Sequence, residues 1–343
     1  MTQEEINAYL KSNAGSGTSE ASNVYGVRHY YNDSSTALTR IGASNLHATL
    51  PVQSLMRRCI VADDGTVVYY LDANDSTKKE DGTAAVLDGT DGQVMVEIPT
   101  HYRKHTLGSD YYDSEISLDP FVGAFKINKY YVSMSEATMD RTNNKLSSVV
   151  NTTTQYRGGD NTSSWDDTYR SQLGLPATSI SSADFHTYAN NRGTGWEMYE
   201  ADVHDDIYWL YVIEYANTNV QLAYNATLTS EGYHQGGLGD GVVGVTSSTW
   251  STYNSSNPVI PCNATLSLGN NSGVVSYSPL SSDGSTAWAT FNVPSYRGIQ
   301  NLYAHIWQWV IGYIGVGDGS NQIAYRCRNR NQYSTDSLNS YYS

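Results

Sequence analysis

The residues able to do chemistry are three cysteines, several adjacent carboxylate pairs and a scatter of histidines. Cys59, Cys262 and Cys327 form no Cys-x-x-Cys pair. An odd count argues against a disulfide framework, and each is expected to pack as a small buried hydrophobe. Asp63-Asp64, Asp166-Asp167 and Asp205-Asp206 fall in polar turns or on a helix edge. Glycoside hydrolysis needs two acids facing each other across a cleft, which adjacency in sequence does not supply. These pairs therefore read as solvated surface or helix caps. His47, His101, His105, His186, His204, His234 and His305 show no metalloprotease-type spacing. His305 is expected to be a structural hydrogen-bonding residue. The stretch Gly315–Asn321 (GVGDGSN) offers oxygen ligands to calcium without the spacing of an EF-hand loop, and no other cofactor is expected.

Binding chemistry is better represented. The 343 residues include 29 Tyr against 4 Phe, and only 16% are charged, where about 25% is usual. Tyr joins a flat apolar body to a polar tip, which suits half-wet interfaces, and binding loops use the same Tyr, Ser, Gly and Asn mixture. The segment 311–343 concentrates it, with five Tyr, four Asn and five Ser. The candidate ligand-binding residues are Tyr303, Tyr313, Asn321, Tyr325, Arg326, Arg328, Asn329, Arg330, Asn331, Tyr333, Asn339 and Tyr341. In a strand, Arg326, Arg328 and Arg330 would share one face. Tyr and Arg are enriched at binding hot spots, and a basic tail on an acidic chain would steer toward an anionic glycan or surface protein. The net charge of −14 speaks against a nucleic-acid face and against anionic membranes.

The elements that must position these residues form an α+β pattern. Residues 1–23 read as an arm with a Gly/Ser linker, 24–119 as a small β-rich region, and 120–343 as the ligand-binding domain. Thr66–Leu71, Val94–Pro99 and Phe125–Val132 read as strands. A helix is expected to start at Ser135, another over Asp184–Asn190 with Ser181 or Ser182 as N-cap, and a central one over Trp196–Tyr224. The last carries two apolar rows, Val203-Ile207-Leu210 and Trp209-Ile213-Ala216-Val220. The Gly236–Gly241 knot lacks the Lys-Ser/Thr of a phosphate loop and reads as irregular loop. Trp307 and Trp309 would share a face if their segment were a strand. No stretch reaches the ~20 apolar residues of a spanning helix. The start, MTQEEINAYLKSNAGSG, has neither the basic nor the apolar region of a secretory leader. The expectation is synthesis in a cytoplasm, with exit by lysis or on a particle.

The strand KYYV runs into SEATMDR, the aromatic helix WEMYEADVHDDIYWLYVIEYA follows, and YRGIQNLYAHIWQWV comes late. The order of these blocks resembles the formylglycine-generating-enzyme branch of the C-type-lectin fold. Within that branch the chain resembles proteins of gut bacteria and their phages, through TLPVQSLMRRC at Thr49, GQVMVEIPTHYRK at Gly92, YRGG at Tyr156, GYHQGGLG at Gly232 and YRGIQN at Tyr296. Some such proteins are targets of diversity-generating retroelements, and others look like phage-tail receptor-binding proteins. The resemblance implies a fixed lectin scaffold presenting variable Tyr, Asn and Ser side chains. With 34 residues after Trp309, the tail is expected both to close the sheet and to meet the ligand.

The enzymes of that branch hold copper with paired thiolates, a pattern not recognisable around Cys262 and Cys327, so the expectation is no catalysis. The implied partners are a bacterial cell-surface receptor, glycan or protein, and other tail proteins of a virion, with no nucleic acid and no membrane insertion. A homo-oligomer such as a trimer fits that setting. The alternative is a structural virion component, with the lectin-like domain as a decoration or assembly module and residues 1–23 as its attachment.

Overall fold

The computed structural model describes residues 23–220, 247–303, 305–317, 322–327 and 329–333. The chain is α+β, with short helices and mostly antiparallel strands. Its contacts divide into two compact units, one of residues 1–57, 97–131 and 207–223 and the other of 58–96, 132–206 and 224–343. The expected cut near residue 120 is not where the chain divides. Each unit draws on three separate stretches, because strand partners are chosen by pairing and burial rather than by order along the chain. The arm and the Gly236–Gly241 knot lie outside the described residues. Among the described residues no helix is long and apolar enough to cross a membrane.

The first unit is built on a five-stranded sheet ordered β2-β1-β7-β6-β8. Its strands are β1 (Tyr25–Tyr30), β2 (Thr39–Gly42), β6 (His101–Leu107), β7 (Tyr111–Ser117) and β8 (Phe125–Ile127). Arg28 and Asp113 are opposite each other in the β1–β7 register. Their side chains close a two-pronged ion pair at 2.7 and 2.8 Å, and the guanidinium lies 3.7 Å from the centre of the Tyr111 ring. Buried Tyr25 accepts from the Val52 N–H at 3.1 Å and donates to Gln53 at 2.7 Å, and Gln53 donates to the Leu210 carbonyl at 3.0 Å. His105, Tyr112 and Trp209 cluster with ring centres 5.2 to 5.4 Å apart.

The second unit contains the body of a sheet ordered β4-β3-β5-β9, from β3 (Arg57–Val61), β4 (Val67–Tyr70), β5 (Gln93–Ile98) and β9 (Tyr130–Ser133). It adds a hairpin of β10 (Thr138–Asp140) and β11 (Lys145–Ser147). A three-stranded sheet joins β12 (Gly273–Tyr277), β13 (Phe291–Tyr296) and β14 (Ile299–Gln300), and a second hairpin pairs β15 (Tyr313–Gly317) with β16 (Gln322–Arg326). Its helices are α1 (Ser182–Asn190), the start of α2 (Ala201–Tyr215) and α3 (Ser247–Asn254). Helix α1 begins where its cap predicts, with the Ser181 hydroxyl accepting from the Asp184 N–H at 3.1 Å.

Helix α2 buries Ile207 and Leu210 of one expected apolar row and Ile213 of the other, while Val203 and Trp209 stay half-buried; Tyr211 and Val212, outside both rows, are buried as well. It is shorter than expected. Ala216 turns to a left-handed φ of 50°, and the Asn217 side chain takes the Asn219 N–H at 2.7 Å, so local bonds compete with another helical turn. The helix expected at Ser135 does not form. The Ser135 hydroxyl donates to the Cys262 carbonyl at 3.0 Å instead of capping, and Thr138–Asp140 pair with Lys145–Ser147 as strands. The expected strand over 125–132 splits into β8 and β9, which belong to different sheets.

The side chain of Arg58 organises the second unit. It is fully buried, and its side-chain hydrogen bonds run to carbonyls and hydroxyls. Nε donates to the Gly298 carbonyl at 2.8 Å, one terminal nitrogen to the Ser76 hydroxyl at 2.9 Å and the Thr265 carbonyl at 3.0 Å, and the other to the Thr265 hydroxyl at 2.8 Å. Burial pushes its pKa down to about 9, so it stays cationic at neutral pH. Gly298 takes φ +88°, and a Cβ there would sit 3.1 Å from Cγ of Arg58. A side chain at that turn would both strain the backbone and crowd the arginine.

Candidate functional site

The expected ligand face begins on the hairpin β15–β16, where Tyr313 is opposite Arg326 in register. The strand ends at Arg326, and Arg330 starts a 3-10 turn, Arg330–Gln332. The arginine row therefore does not share one strand face. Arg326 pairs with Asp202 and, at 3.6 Å, with Asp205. Arg330 grips Glu200 with two nitrogens, the Nε contact at 2.8 Å, and donates to the Gly195 carbonyl at 3.1 Å. The Tyr333 hydroxyl donates to Oε1 of the same Glu200 at 2.8 Å. Hydrogen bonding to Glu200 holds the Arg330 pKa up, and burial, reinforced by the Glu200 charge, does the same for Tyr333. The Asn329 side chain caps the turn by accepting from the exposed Asn331 N–H at 3.1 Å. Glu200 thus holds both Arg330 and Tyr333.

What faces solvent is aromatic. Trp307 is 102% exposed, Trp309 and Tyr313 each 52%, and Val310 37%. No strand forms at 307–309, so the two indoles are not the sheet-face pair expected; the Trp309 N–H instead donates to the Ile180 carbonyl at 3.1 Å. Tyr303 is half-buried. Tyr325 lies in β16. Asn321, Arg328, Asn339 and Tyr341 lie outside the described residues, as does part of the Gly315–Asn321 calcium candidate. Sequence reasoning missed Glu200. Its signal was present in the run Glu200, Asp202, Asp205 and Asp206, an acidic helix start matched in charge to Arg326 and Arg330.

One buried constellation carries titratable groups. The Nδ1 of His305 is 3.1 Å from Oε1 of Glu136, and both side chains are almost fully buried, at 1% and 6% exposure. Asn301 Nδ2 lies 3.4 Å from the other Glu136 oxygen and 3.3 Å from His305 Nδ1. The Trp250 indole lies parallel to the imidazole, 4° between planes and 6.3 Å between centres. Cys262 donates its thiol to the Glu136 carbonyl at 3.3 Å. Burial pushes that thiol pKa far up, so it stays protonated and a poor nucleophile. Cys59, Cys262 and Cys327 are all buried free thiols, and the described residues contain no group of three or more His, Cys, Asp or Glu arranged to hold a metal ion. The imidazole and carboxylate are locked to each other and to Asn301 as a packing hub.

Two of the blocks that carried the family resemblance occupy structural positions, and GYHQGGLG at Gly232 lies outside the described residues. In YRGG, Arg157 pairs with Asp166, its Nε contact at 2.8 Å, and a Cβ on Gly158 would fall 1.9 Å from the Leu175 carbonyl oxygen. In YRGIQN, Gly298 receives Arg58, Gln300 binds Thr265 and Pro261, and Asn301 reaches the Glu136 hub. Comparison of the chain with protein-family models, with curated proteins and with solved structures finds no match.

Proposed function

We propose that the chain is a non-catalytic recognition protein, a phage-tail-associated component that binds a bacterial cell-surface glycan or protein from a C-type-lectin-like scaffold. The observation that carries this reading is Trp307, a fully exposed indole within a few positions of exposed Trp309, Val310 and Tyr313. An indole left in water forfeits a large burial gain, and Trp and Tyr in such positions are the residues that dominate protein interfaces. Glu200 fixes Arg330 and Tyr333, so part of the neighbouring chain is pre-ordered, which lowers the entropy lost on binding. The Tyr, Asn and Ser bias of 311–343 supports the same reading.

The test is binding of the purified protein to a panel of intact gut-bacterial cells and to a glycan array. The comparison is a Trp307→Ala, Trp309→Ala double variant with an unchanged far-ultraviolet spectrum. Loss of binding in the variant supports the reading, and equal binding by both sinks the face. A reverse transcriptase gene with a near-identical template repeat beside the coding DNA would add retroelement diversification.

A further inference from the structure

We infer that the Thr265 hydroxyl and the Gln300 carboxamide are the two halves of an internal ester cross-link. It ties the 3-10 turn Leu266–Leu268, which Thr265 precedes, to the short strand β14. The two residues are 35 apart in sequence, and both belong to the second unit.

The fold holds a nucleophile against an electrophile. The Thr265 hydroxyl donates to Oε1 of Gln300 at 3.3 Å, and the Thr265 N–H donates to the same oxygen at 3.1 Å. Nε2 of Gln300 donates to the Pro261 carbonyl at 2.8 Å, which fixes the orientation of the amide. The Gln300 backbone is set by its pairing with Ser295 of β13 and by its N–H, which donates to the Met134 carbonyl at 2.7 Å. Thr265 is 0% exposed and Gln300 2%.

A cation completes the set. One terminal nitrogen of Arg58 donates to the Thr265 hydroxyl oxygen at 2.8 Å, and the other donates to the Thr265 carbonyl at 3.0 Å. A hydrogen bond from a cation favours the charged form of an oxygen, so negative charge that develops on Oγ during attack is met in place. The Thr265 N–H does the same for Oε1 as the amide carbonyl becomes an oxyanion. Closeness alone does not define such a pair. The Thr178 hydroxyl meets Oδ1 of Asn257 at 2.8 Å, but that contact is only partly buried, and among the described residues no cation is bonded to the Thr178 hydroxyl.

The step balances without a co-reactant. Oγ of Thr265 attacks Cδ of Gln300, and the hydroxyl proton passes by way of Oε1 to Nε2. The C–N bond breaks, its electron pair goes to Nε2, and ammonia leaves. Alcoholysis of an amide is slow, but groups held this close gain a large effective concentration, and one turnover in the life of the chain is enough. Loss of ammonia removes the partner of the reverse step. The link closes a loop that holds β12 and β13, which restricts the unfolded chain and so stabilises the folded one.

The experiment is intact-mass spectrometry of the purified full chain, followed by peptide mapping. The expected mass is that of the sequence, with or without Met1, less one ammonia, and one pair of peptides should be joined through positions 265 and 300. Mild hydroxylamine, which opens esters and spares amides, should separate the pair. Thr265→Ser keeps a hydroxyl and should keep the mass loss, whereas Thr265→Val should return the full sequence mass. A parent chain at full sequence mass overturns the cross-link. Ammonia loss that maps to other positions, or that persists in Thr265→Val, overturns it as well. The deciding measurement is made on the parent chain, so a variant that fails to fold does not blur it.

Discussion

His305 and Glu136 are 169 residues apart in sequence, yet Nδ1 of one lies 3.1 Å from Oε1 of the other with both side chains almost fully buried. Removing one partner strands the second. We expect His305→Ala to lower unfolding stability by about 2–4 kcal/mol, the cost of an unpaired buried polar group together with lost packing on Trp250. Urea denaturation measures it, and a variant as stable as the parent would mean the hub carries no stabilising role.

Arg58 makes a sharper demand, because its acceptors are arranged for a planar fork. Lysine keeps the charge and much of the stem but presents its donors from one point. Arg58→Lys should therefore cost about 3 kcal/mol, close to the loss in Arg58→Met, since both leave carbonyls and hydroxyls at Ser76, Thr265 and Gly298 unmatched. Rescue of the urea midpoint by lysine would show that charge, not fork geometry, is what the site needs.

The Arg157–Asp166 pair predicts an acid dependence. The hydrogen bond from Arg157 holds the Asp166 carboxyl below the usual carboxylate range. A carboxyl whose folded pKa is depressed adds stability that is fully present above its unfolded value, about 3.9, and is lost as pH falls through the folded value. The melting temperature of the parent should therefore fall between pH 5 and pH 2 more steeply than that of Asp166→Asn, measured by calorimetry. Parallel curves would remove the pair from the acid response.

Glu200 should control the order of the chain end. Glu200→Ala frees Arg330 and Tyr333 together, whereas Tyr333→Phe removes one hydrogen bond, worth about 1 kcal/mol. Trypsin should cut after Arg330 faster in Glu200→Ala than in Tyr333→Phe, with mass spectrometry placing the site. Equal cleavage in parent and Glu200→Ala would show that the carboxylate does not hold this segment.

The parts legible in the sequence were those set by local rules. Ser181 announced α1 through its cap, and the apolar spacing Ile207-Leu210 announced α2. The runs at 66–71 and 94–99 appear as β4 and β5 within a residue or two. Local signals failed where a distant partner decided. Ser135 has the composition of a helix cap, but Cys262 claims its hydroxyl. Arg326 and Arg330 alternate like a strand face, but Glu200 and Asp202 on the far side of the sequence hold them.

The three-stretch make-up of each unit governs how the chain can reach its native state. The first sheet pairs residues 25–30 with 111–117, and its core is completed by the apolar side chains of residues 207–213. During synthesis β1 can pair with β2 at once, but β7 follows only from residue 111 and the apolar segment only from residue 207. Pairings this distant in sequence slow folding and lengthen the exposure of sticky strand edges. No single one of those stretches holds a whole unit, so a stop codon within residues 132–206 deprives the first unit of its third stretch, residues 207–223, as well as truncating the second.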